Sequence, residues 1–258
     1  MMKRRDFMAS TLAATCLPFA FAGASSAAEG GDRQLLELRR WEIENESQQQ
    51  LVSSFLEQAL LPALKRQGIG PVGVFTETGD TATLAIHMLT GMSPAVWLTV
   101  GDRLTQDSEF LENAREYLST EKNKPAYKRI ETQLMVAFEG FPTVQTPLTG
   151  DRLFEMRVYE SHNEYKAKLK VEMFNVHEFD IFKRVGLNGV FFGESIAGGK
   201  LPNLTYMVAH ESMASHDRAW KAFSEDAGWL QVKELERYKD TVSHIIKTYL
   251  KPTAYSQI

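Results

Sequence analysis

A short motif that occurs twice most constrains the fold of this chain of 258 residues. Residues 36–41 read LELRRW and residues 154–159 read FEMRVY, so apolar, acidic, apolar, basic and aromatic positions return in the same order. Three further pairs of similar segments follow in the same order along the chain, namely 65–68 with 183–186, 107–111 with 226–230, and 141–143 with 251–253. Repetition on this scale indicates a duplicated folding unit.

Within each copy the hydrophobic period changes from two to about 3.6 and back, which predicts strands that alternate with helices. A capping box at Ser47 and Gln50 is expected to begin the long helix of the first copy, which ends before Gly68 with a bend at Pro62. The matching helix of the second copy is predicted over 164–185. The order in each copy is strand, helix, strand, strand, helix, strand. We therefore predict an α+β fold of two tandem ferredoxin-like repeats.

The predicted organisation has four parts. Residues 1–28 form an export signal, 34–139 the first repeat, and 151–258 the second repeat. Residues 140–150 contain Pro142 and Pro147 and show no periodicity. This stretch is therefore predicted to be a linker.

The N-terminus resembles a twin-arginine-type export signal. Arg4 and Arg5 precede Phe7, and a mildly apolar stretch then leads to a run of small residues at 24–28. The stretch is shorter than the roughly 20 apolar residues that span a bilayer, so a membrane anchor is the less favoured alternative. Cys16, the only cysteine, lies inside the signal; a lipoprotein site there is a second, minor alternative. We expect an exported protein, periplasmic or extracellular, without a thiol after cleavage.

Charge and composition narrow the classes of partner. The formal net charge is −4 and the chain has no block of lysine and arginine, which argues against nucleic acid or an anionic membrane as partner. A hydrophobic content of 43% is enough for a sizeable core. A small-molecule ligand is the partner we expect, and a homo-oligomer remains open.

Several motifs resemble the NIPSNAP family. They are the E-x-R-x-aromatic strand at 155–159, the acidic segment DAGW at 226–229 and the closing KPTAYS at 251–256. The resemblance is best over residues 152–256. It implies a dimeric α+β barrel, supplied here by two copies in one chain as an intramolecular barrel. Related barrels include cofactor-free monooxygenases, haem-degrading enzymes and lactone isomerases, an analogy of fold that does not fix function.

The candidate ligand site follows from the faces of the first strand in each repeat. A ferredoxin-like sheet carries its helices on one face, which is expected to be apolar, and Phe154, Met156 and Val158 supply such a face. The charged and aromatic residues then point into the barrel. The six residues predicted to line the barrel interior are Glu37, Arg39, Trp41, Glu155, Arg157 and Tyr159.

Two interpretations of these six residues stay open. In the first, the arginines hold a carboxylate or oxyanion while the aromatic rings supply flat walls, so the barrel binds a small, partly apolar anion. In the second, each arginine only pairs with the glutamate two residues before it and fixes the sheet register. The sequence establishes no reaction for such a site.

An enzyme is the alternative function, a cofactor-free or haem-related monooxygenase or isomerase. Its weak catalytic candidates are His210 and Tyr206 as acid or base, with Arg157 as oxyanion holder. A protein-interaction module is a further alternative. The pairs at 210–211 and 216–217 are too loosely spaced for a zinc motif, so the sequence predicts neither a metal site nor a cofactor.

Export is expected to depend on the arginine pair, because a lysine does not present the planar guanidinium donors of arginine. We predict that Arg4→Lys combined with Arg5→Lys leaves precursor in the cytoplasm, which cell fractionation and immunoblotting would show. The appearance of mature double mutant outside the inner membrane at the wild-type level would point to the general secretory route.

Overall fold

The computed structural model describes residues 33–80 and 82–258. The predicted export signal, with its arginine pair and Cys16, lies outside the described residues. Eight strands are present in this part of the chain. They are β1 (Leu35–Glu42), β2 (Gly73–Thr78), β3 (Ala85–Met92), β4 (Arg129–Ala137), β5 (Leu153–Glu160), β6 (Asn188–Ala197), β7 (Asn203–His210) and β8 (His244–Pro252).

Helices connect the strands in the order predicted. In the first repeat they are α1 (Glu46–Phe55), a π-helical segment (Leu56–Leu60), α2 (Leu61–Arg66), α3 (Pro94–Gln106), α4 (Ser108–Asn113) and α5 (Arg115–Leu118). In the second they are α6 (Glu164–Met173), a π-helical segment (Phe174–Glu178), α7 (Phe179–Val185), α8 (Met213–Glu225), α9 (Ala227–Val232) and a 3₁₀ turn (Glu236–Tyr238). None of the helices in the described ranges is both long and apolar enough to cross a bilayer.

The eight strands form a closed antiparallel barrel. Its order is β1-β3-β2-β8-β5-β7-β6-β4, so each repeat contributes four neighbouring strands in the ferredoxin-like order. The two sheets join edge to edge, β2 with β8 and β4 with β6. Closure leaves no sheet edge with unpaired backbone groups. The predicted α+β fold of two ferredoxin-like repeats in an intramolecular barrel is confirmed.

Both long helices begin at an asparagine cap and contain a π-helical segment at the same position. The side chain of Asn45 accepts a hydrogen bond from the backbone N–H of Gln48, so the predicted capping box at Ser47 is wrong by two residues. Asn163 caps α6 in the same way. Pro62 lies directly after the π-helical segment, inside a helical run that continues from Glu46 to Arg66.

Both faces of the barrel wall are buried along β3 and β7, whereas β4 and β8 carry exposed residues such as Glu131 and Lys247. The interior is filled by apolar side chains from both repeats, and the rings of Phe75 and Phe154 meet there edge to face with centroids 4.9 Å apart. On the outside, the helices of each repeat cover a second apolar layer, one beneath α1 and α2 and one beneath α6 and α7. A small barrel of eight strands has an interior that side chains can fill.

The segment predicted as a linker packs against the barrel. Val144 is buried in the interior core, and its backbone N–H donates to the side chain of Gln34. The N–H of Gln145 donates to the carbonyl of Val190 in β6. The domain boundaries at 139, 150 and 151 stay predictions.

The shared interior core predicts that the two repeats unfold together. Phe154→Ala removes a ring that contacts the first repeat, so we expect a loss of about 3 to 5 kcal/mol in the free energy of unfolding. Urea denaturation followed by tryptophan fluorescence and by far-UV circular dichroism should show one coincident transition. Leu98→Ala, at a side chain 72% exposed, is the control and should change stability by less than about 0.5 kcal/mol. Two separate transitions in the wild type would contradict the shared core.

Candidate functional site

The six residues predicted to line the barrel interior lie on the outer face of the wall, beneath the helices. Trp41 belongs to the apolar layer under α1, and Tyr159 packs with the layer under α6 and α7. Leu38 and Met156, which lie on the opposite face of the same strands, pack in the barrel interior. The placement in the barrel interior is therefore wrong.

The face could not be assigned from the sequence because the barrel interior and the layer beneath the helices are both lined by apolar side chains. A row of apolar residues along β1 or β5 could face either the barrel interior or the helices. It faces the interior here, because packed side chains fill most of the inside of an eight-stranded barrel. The motif residues then face the helices, where helical side chains can pair with them.

The structure separates the six residues into two groups of three, one in each repeat. In the first repeat, Arg39 donates to Glu37 over 2.7 Å and lies 5.6 Å from the ring of Trp41. The indole N–H of Trp41 donates to the hydroxyl of Tyr117 over 3.2 Å. This group is paired internally, which agrees with the structural interpretation of the motif.

In the second repeat the motif opens onto a cavity of about 490 Å³ between the sheet and the helices. Arg157 lines this cavity. Its guanidinium carbon is 4.1 Å from the ring centre of Trp220 on α8 and 5.5 Å from that of Tyr159. Such distances place a cation against aromatic faces. The other main lining residues are Lys170, Met173, Glu178, Phe182, Tyr206 and Trp229.

The charge of Arg157 is poorly matched by its protein partners. The residue is 7% exposed, and its Nε has no hydrogen-bond partner among the described residues. The nearest carboxylate oxygen, Oε1 of Glu155, is 3.6 Å from that nitrogen, beyond a hydrogen bond. The second carboxylate oxygen of Glu155 accepts from the indole N–H of Trp220 over 2.6 Å.

A buried ion pair forms another wall of the cavity. Nζ of Lys170 lies 2.5 Å from Oε1 of Glu178, and both side chains are at most 5% exposed. Burial raises the pKa of Glu178 above its usual value, while the ammonium of Lys170 opposes that shift. Lys170 also lies 4.7 Å from the ring centre of Phe174.

Two tyrosines form a hydrogen-bonded pair beside Arg157. The hydroxyl of Tyr206 donates to that of Tyr159 over 2.9 Å. Burial raises the pKa of Tyr159 to about 12 and that of Tyr206 well above its ordinary value. Both therefore keep their protons at neutral pH, and Tyr159 retains a hydroxyl hydrogen with which it can donate to a ligand. The predicted role of Tyr206 as a base is not supported by this environment.

The first repeat carries apolar residues at the positions of these polar groups. At the offset of 118 residues that relates the repeats, Val52 stands for Lys170 and Leu60 for Glu178. Met88 occupies the register position of Tyr206. Among the described residues, the buried polar groups at these positions are therefore confined to the second repeat. Comparison of the repeats at this offset is the sequence signal by which Lys170 could have been found as a site residue.

His210, the other predicted acid or base, lies away from Tyr206 although both are on β7. Four residues of strand separate them by about 14 Å. His210 instead lies beside His216 of α8, with ring centres 4.9 Å apart, and near Glu155. Burial and the neighbouring His216 lower the pKa of His210 to about 4.

A second polar cavity, of about 620 Å³, lies at one end of the barrel interior. There Glu77 accepts hydrogen bonds from Thr83 and from His87 Nε2 over 2.9 Å, and Arg40 is 3.5 Å away. Burial raises the pKa of Glu77, but these hydrogen bonds outweigh it and hold the pKa at about 2. In this second cavity the carboxylate of Glu77 and the guanidinium of Arg40 already pair with each other. We therefore place the candidate site at Arg157.

The second repeat carries a recognisable domain. Residues 154–257 match the model of the NIPSNAP family. The match agrees with the resemblance over 152–256 and covers Glu155, Arg157 and Tyr159. The residues that line the cavity around Arg157 thus lie within the segment that matches the NIPSNAP model. No curated protein matches the sequence.

Solved structures share the fold. A "putative monooxygenase" from Lactobacillus acidophilus has 8% identity and a TM-score of 0.57 over 85% of this chain and 94% of that one. A second protein so named, from Fusobacterium nucleatum, has 8% identity and a TM-score of 0.54 over 85% and 92%. A NIPSNAP family protein of unknown function from Agrobacterium tumefaciens has 18% identity and a TM-score of 0.36 over 40% and 88%. At such identities the first two likenesses establish the fold.

The ion pair in the cavity wall yields a test of the site's architecture. Lys170→Met leaves the carboxylate of Glu178 buried without a partner, so we expect a loss of about 3 to 5 kcal/mol in unfolding free energy. Adding Glu178→Gln removes that unpaired charge and should recover much of the loss. Lys168→Met, on the same helix but in an exposed pair with Glu194, should cost less than about 1 kcal/mol. Equal effects of the two lysine substitutions in chemical denaturation would contradict the burial of the pair.

Proposed function

We propose that the NIPSNAP domain binds a small, planar organic anion in the cavity between its sheet and its helices. The observation that supports the proposal most directly is the guanidinium of Arg157, which is buried, aromatic-walled and without a close anionic partner. The anion-binding function expected from the sequence is thereby moved from the barrel interior to the outer face of one sheet.

The electrostatic argument starts from the cost of burial. A buried charge without a partner is unfavourable by several kcal/mol, and Oε1 of Glu155 at 3.6 Å gives Arg157 only a partial one. A carboxylate, phenolate or enolate in the cavity would accept hydrogen bonds from the free guanidinium donors. Charge-assisted bonds of this kind are among the stronger ones that proteins form.

The shape of the cavity favours a flat, largely apolar molecule. Its volume of about 490 Å³ lies within the range of small-molecule sites. Trp220 stacks on Arg157, while Phe182 and Trp229 supply further aromatic surface. The hydroxyl of Tyr159 adds a second donor beside the guanidinium.

The local charge balance favours a single negative charge on the ligand. Lys170 is already neutralised by Glu178 at 2.5 Å, and Lys233, which also lines the cavity, is half exposed and lies 3.8 Å from the glutamate that follows it. Arg157 is therefore the buried cation that a ligand would meet. A dianion would face repulsion from Glu178 and Glu155. The ligand class is therefore an aromatic or conjugated monoanion.

A second candidate function is oxygenation of that anion. The two structures named as monooxygenases share the fold over 85% of this chain, and this likeness is what favours the idea. In such a reaction Arg157 and the hydroxyl of Tyr159 would stabilise negative charge that develops on a phenol or enol substrate. Tyr206 would hold Tyr159 in place through its hydrogen bond.

We also propose that the protein acts outside the cytoplasm. The support is the paired arginines at positions 4 and 5 with the apolar stretch that follows. An exported binding protein would meet its anion without competition from cytoplasmic metabolites.

The binding proposal is tested with 2-naphthoate as the anionic probe and 2-naphthamide as its neutral counterpart, by isothermal titration. We expect the wild type to bind the anion more tightly than the amide. Arg157→Met keeps side-chain volume but removes the five donors, and should weaken naphthoate binding by roughly 2 to 5 kcal/mol. An oxygen electrode with 2-naphthol as substrate tests the second candidate on the same samples.

Arg39→Met is the matched control, because Arg39 holds the equivalent position in the first repeat and is paired with Glu37. It should leave naphthoate affinity unchanged. Stability is followed in parallel, since Glu155 loses a neighbour in Arg157→Met. Adding Glu155→Gln should restore stability but not binding if the site holds a ligand. Equal naphthoate affinity in the wild type, Arg157→Met and the double variant would overturn the proposed function.

A further inference from the structure

We propose that Glu155, His210 and His216 form a binding site for one divalent transition-metal ion. The three side chains come from β5, β7 and the first turn of α8. Each offers one ligand atom, and these atoms all lie within 4.8 Å of one another. The proposal does not depend on the anion-binding function, because it concerns a separate set of donor atoms.

The spacing of the donors suits a metal ion. Oε2 of Glu155 lies 3.3 Å from Nε2 of His216. Zinc binds imidazole nitrogen and carboxylate oxygen at about 2.0 to 2.2 Å, so neighbouring donors in a tetrahedral site are about 3.4 Å apart. A small movement of the His210 side chain would bring the third donor to the same separation.

The hydrogen bonds of His216 direct a lone pair toward the centre of the cluster. Its Nδ1 lies 2.8 Å from a carboxylate oxygen of Asp217. Because a carboxylate only accepts hydrogen bonds, Nδ1 must carry a proton to form this one. In the neutral ring Nε2 is then unprotonated, and it faces the carboxylate of Glu155. A proton on Nε2 or a metal ion between the two atoms would relieve the repulsion of these electron-rich groups 3.3 Å apart. A carboxylate behind the distal nitrogen is also the usual support for a metal-binding histidine.

Two buried imidazole nitrogens in the cluster lack partners. Neither Nε2 of His210 nor Nε2 of His216 makes a hydrogen bond to any of the described residues. The two side chains are 2% and 8% exposed, and Glu155 is 1% exposed. Buried polar atoms are almost always paired, so two unpaired nitrogens beside one carboxylate indicate an absent common partner.

The surrounding structure holds the donors in place. The indole N–H of Trp220 donates to Oε2 of Glu155 over 2.6 Å. The side chain of Ser212 caps α8 and fixes the turn that carries His216. Ions could enter from the surface, because His210 also lines an outer cavity of about 380 Å³ with Ser215 and Arg218.

The first repeat provides an internal comparison. Met92 occupies the register position of His210, and Trp97 stands for His216 when the helix caps Ser93 and Ser212 are aligned. Neither side chain is a donor for a hard or borderline divalent ion. The complete set of three donors therefore lies in the second repeat, which also contains the cavity around Arg157.

The donor set defines the class of ion. Two imidazoles and one carboxylate suit zinc and the neighbouring first-row metals, whereas magnesium and calcium prefer sites made of oxygen alone. Three protein ligands leave at least one position for water or another small ligand. Glu155 also lies beside Arg157, so this open position would adjoin the anion cavity.

The direct test is titration of the metal-stripped, tag-free protein with Co²⁺, followed by visible absorption. We expect d–d bands that saturate at one ion per chain and that disappear when Zn²⁺ is added. Magnesium should not compete. Native mass spectrometry of the same samples gives the stoichiometry independently.

Removal of a ligand should weaken Co²⁺ binding strongly. His210→Gln and His216→Gln are each expected to lower affinity by more than about 100-fold, since loss of an outer-shell partner alone typically costs 10- to 100-fold. His87→Gln is the matched control. That histidine is equally buried and also contacts a carboxylate, Glu77, but it belongs to no group of three donors in the described ranges, so affinity should not change.

Asp217→Asn keeps the test valid if the buried variants fail to fold. Its side chain is 71% exposed, so folding should survive, while loss of the carboxylate behind Nδ1 should lower Co²⁺ affinity by about 10-fold or more. Glu225→Gln, an exposed acid on the same helix, should have no effect. The proposal is overturned if the wild type shows no saturable Co²⁺ bands, or if Asp217→Asn and the folded histidine variants bind Co²⁺ as the wild type does.

Discussion

Closure of the barrel is the constraint on which the other features depend. Each ferredoxin-like sheet has two edge strands whose backbone groups would be unpaired in isolation, and the seams between β2 and β8 and between β4 and β6 remove all four edges. Once closed, the barrel is packed inside with apolar side chains such as Phe75 and Phe154, apart from the polar cavity at one end. The charged residues of β5 are thereby confined to the helix-covered face, where Arg157 meets Trp220.

The two repeats have taken different roles within one barrel. The first pairs its motif internally, with Arg39 on Glu37, and fills its helix layer with apolar residues. The second introduces Lys170 and Glu178 into the equivalent layer and leaves Arg157 with unfilled donors. Both proposed sites lie in the second repeat, within the residues that match the NIPSNAP model.

The sequence predicted the fold well because its signals are periodic and local. The alternation along β1 and β5 and the glycine that ends α7 depend on residues near each other in the chain. The repeat shows as an offset of 118 residues between two pairs of similar segments. Gly186 has a φ of 79°, the left-handed value expected of a helix end. The cap at Asn45 instead of Ser47 was missed because both residues are good caps and only the backbone decides between them.

The candidate site was predicted only in part, because it depends on which face of the sheet is covered. The residues Glu155, Arg157 and Tyr159 were found together, but their face was assigned wrongly, since both faces are buried. Partners from helices far along the chain, such as Trp220, have no periodic signal. The cluster with His210 and His216 escaped detection for the same reason: its donors come from three elements and share no spacing motif.

The π-helical segments at Leu56–Leu60 and Phe174–Glu178 occupy the same place in both repeats. A π-helical turn is rare, so its recurrence agrees with the duplication predicted from the sequence. A single repeat of this kind would need a second, identical subunit to close its barrel, and any change in one wall would then be imposed on both. Two copies in a single chain are free of this symmetry. Residue 60 could remain leucine while residue 178 became a buried glutamate, a combination that no symmetric dimer of one gene product can reach.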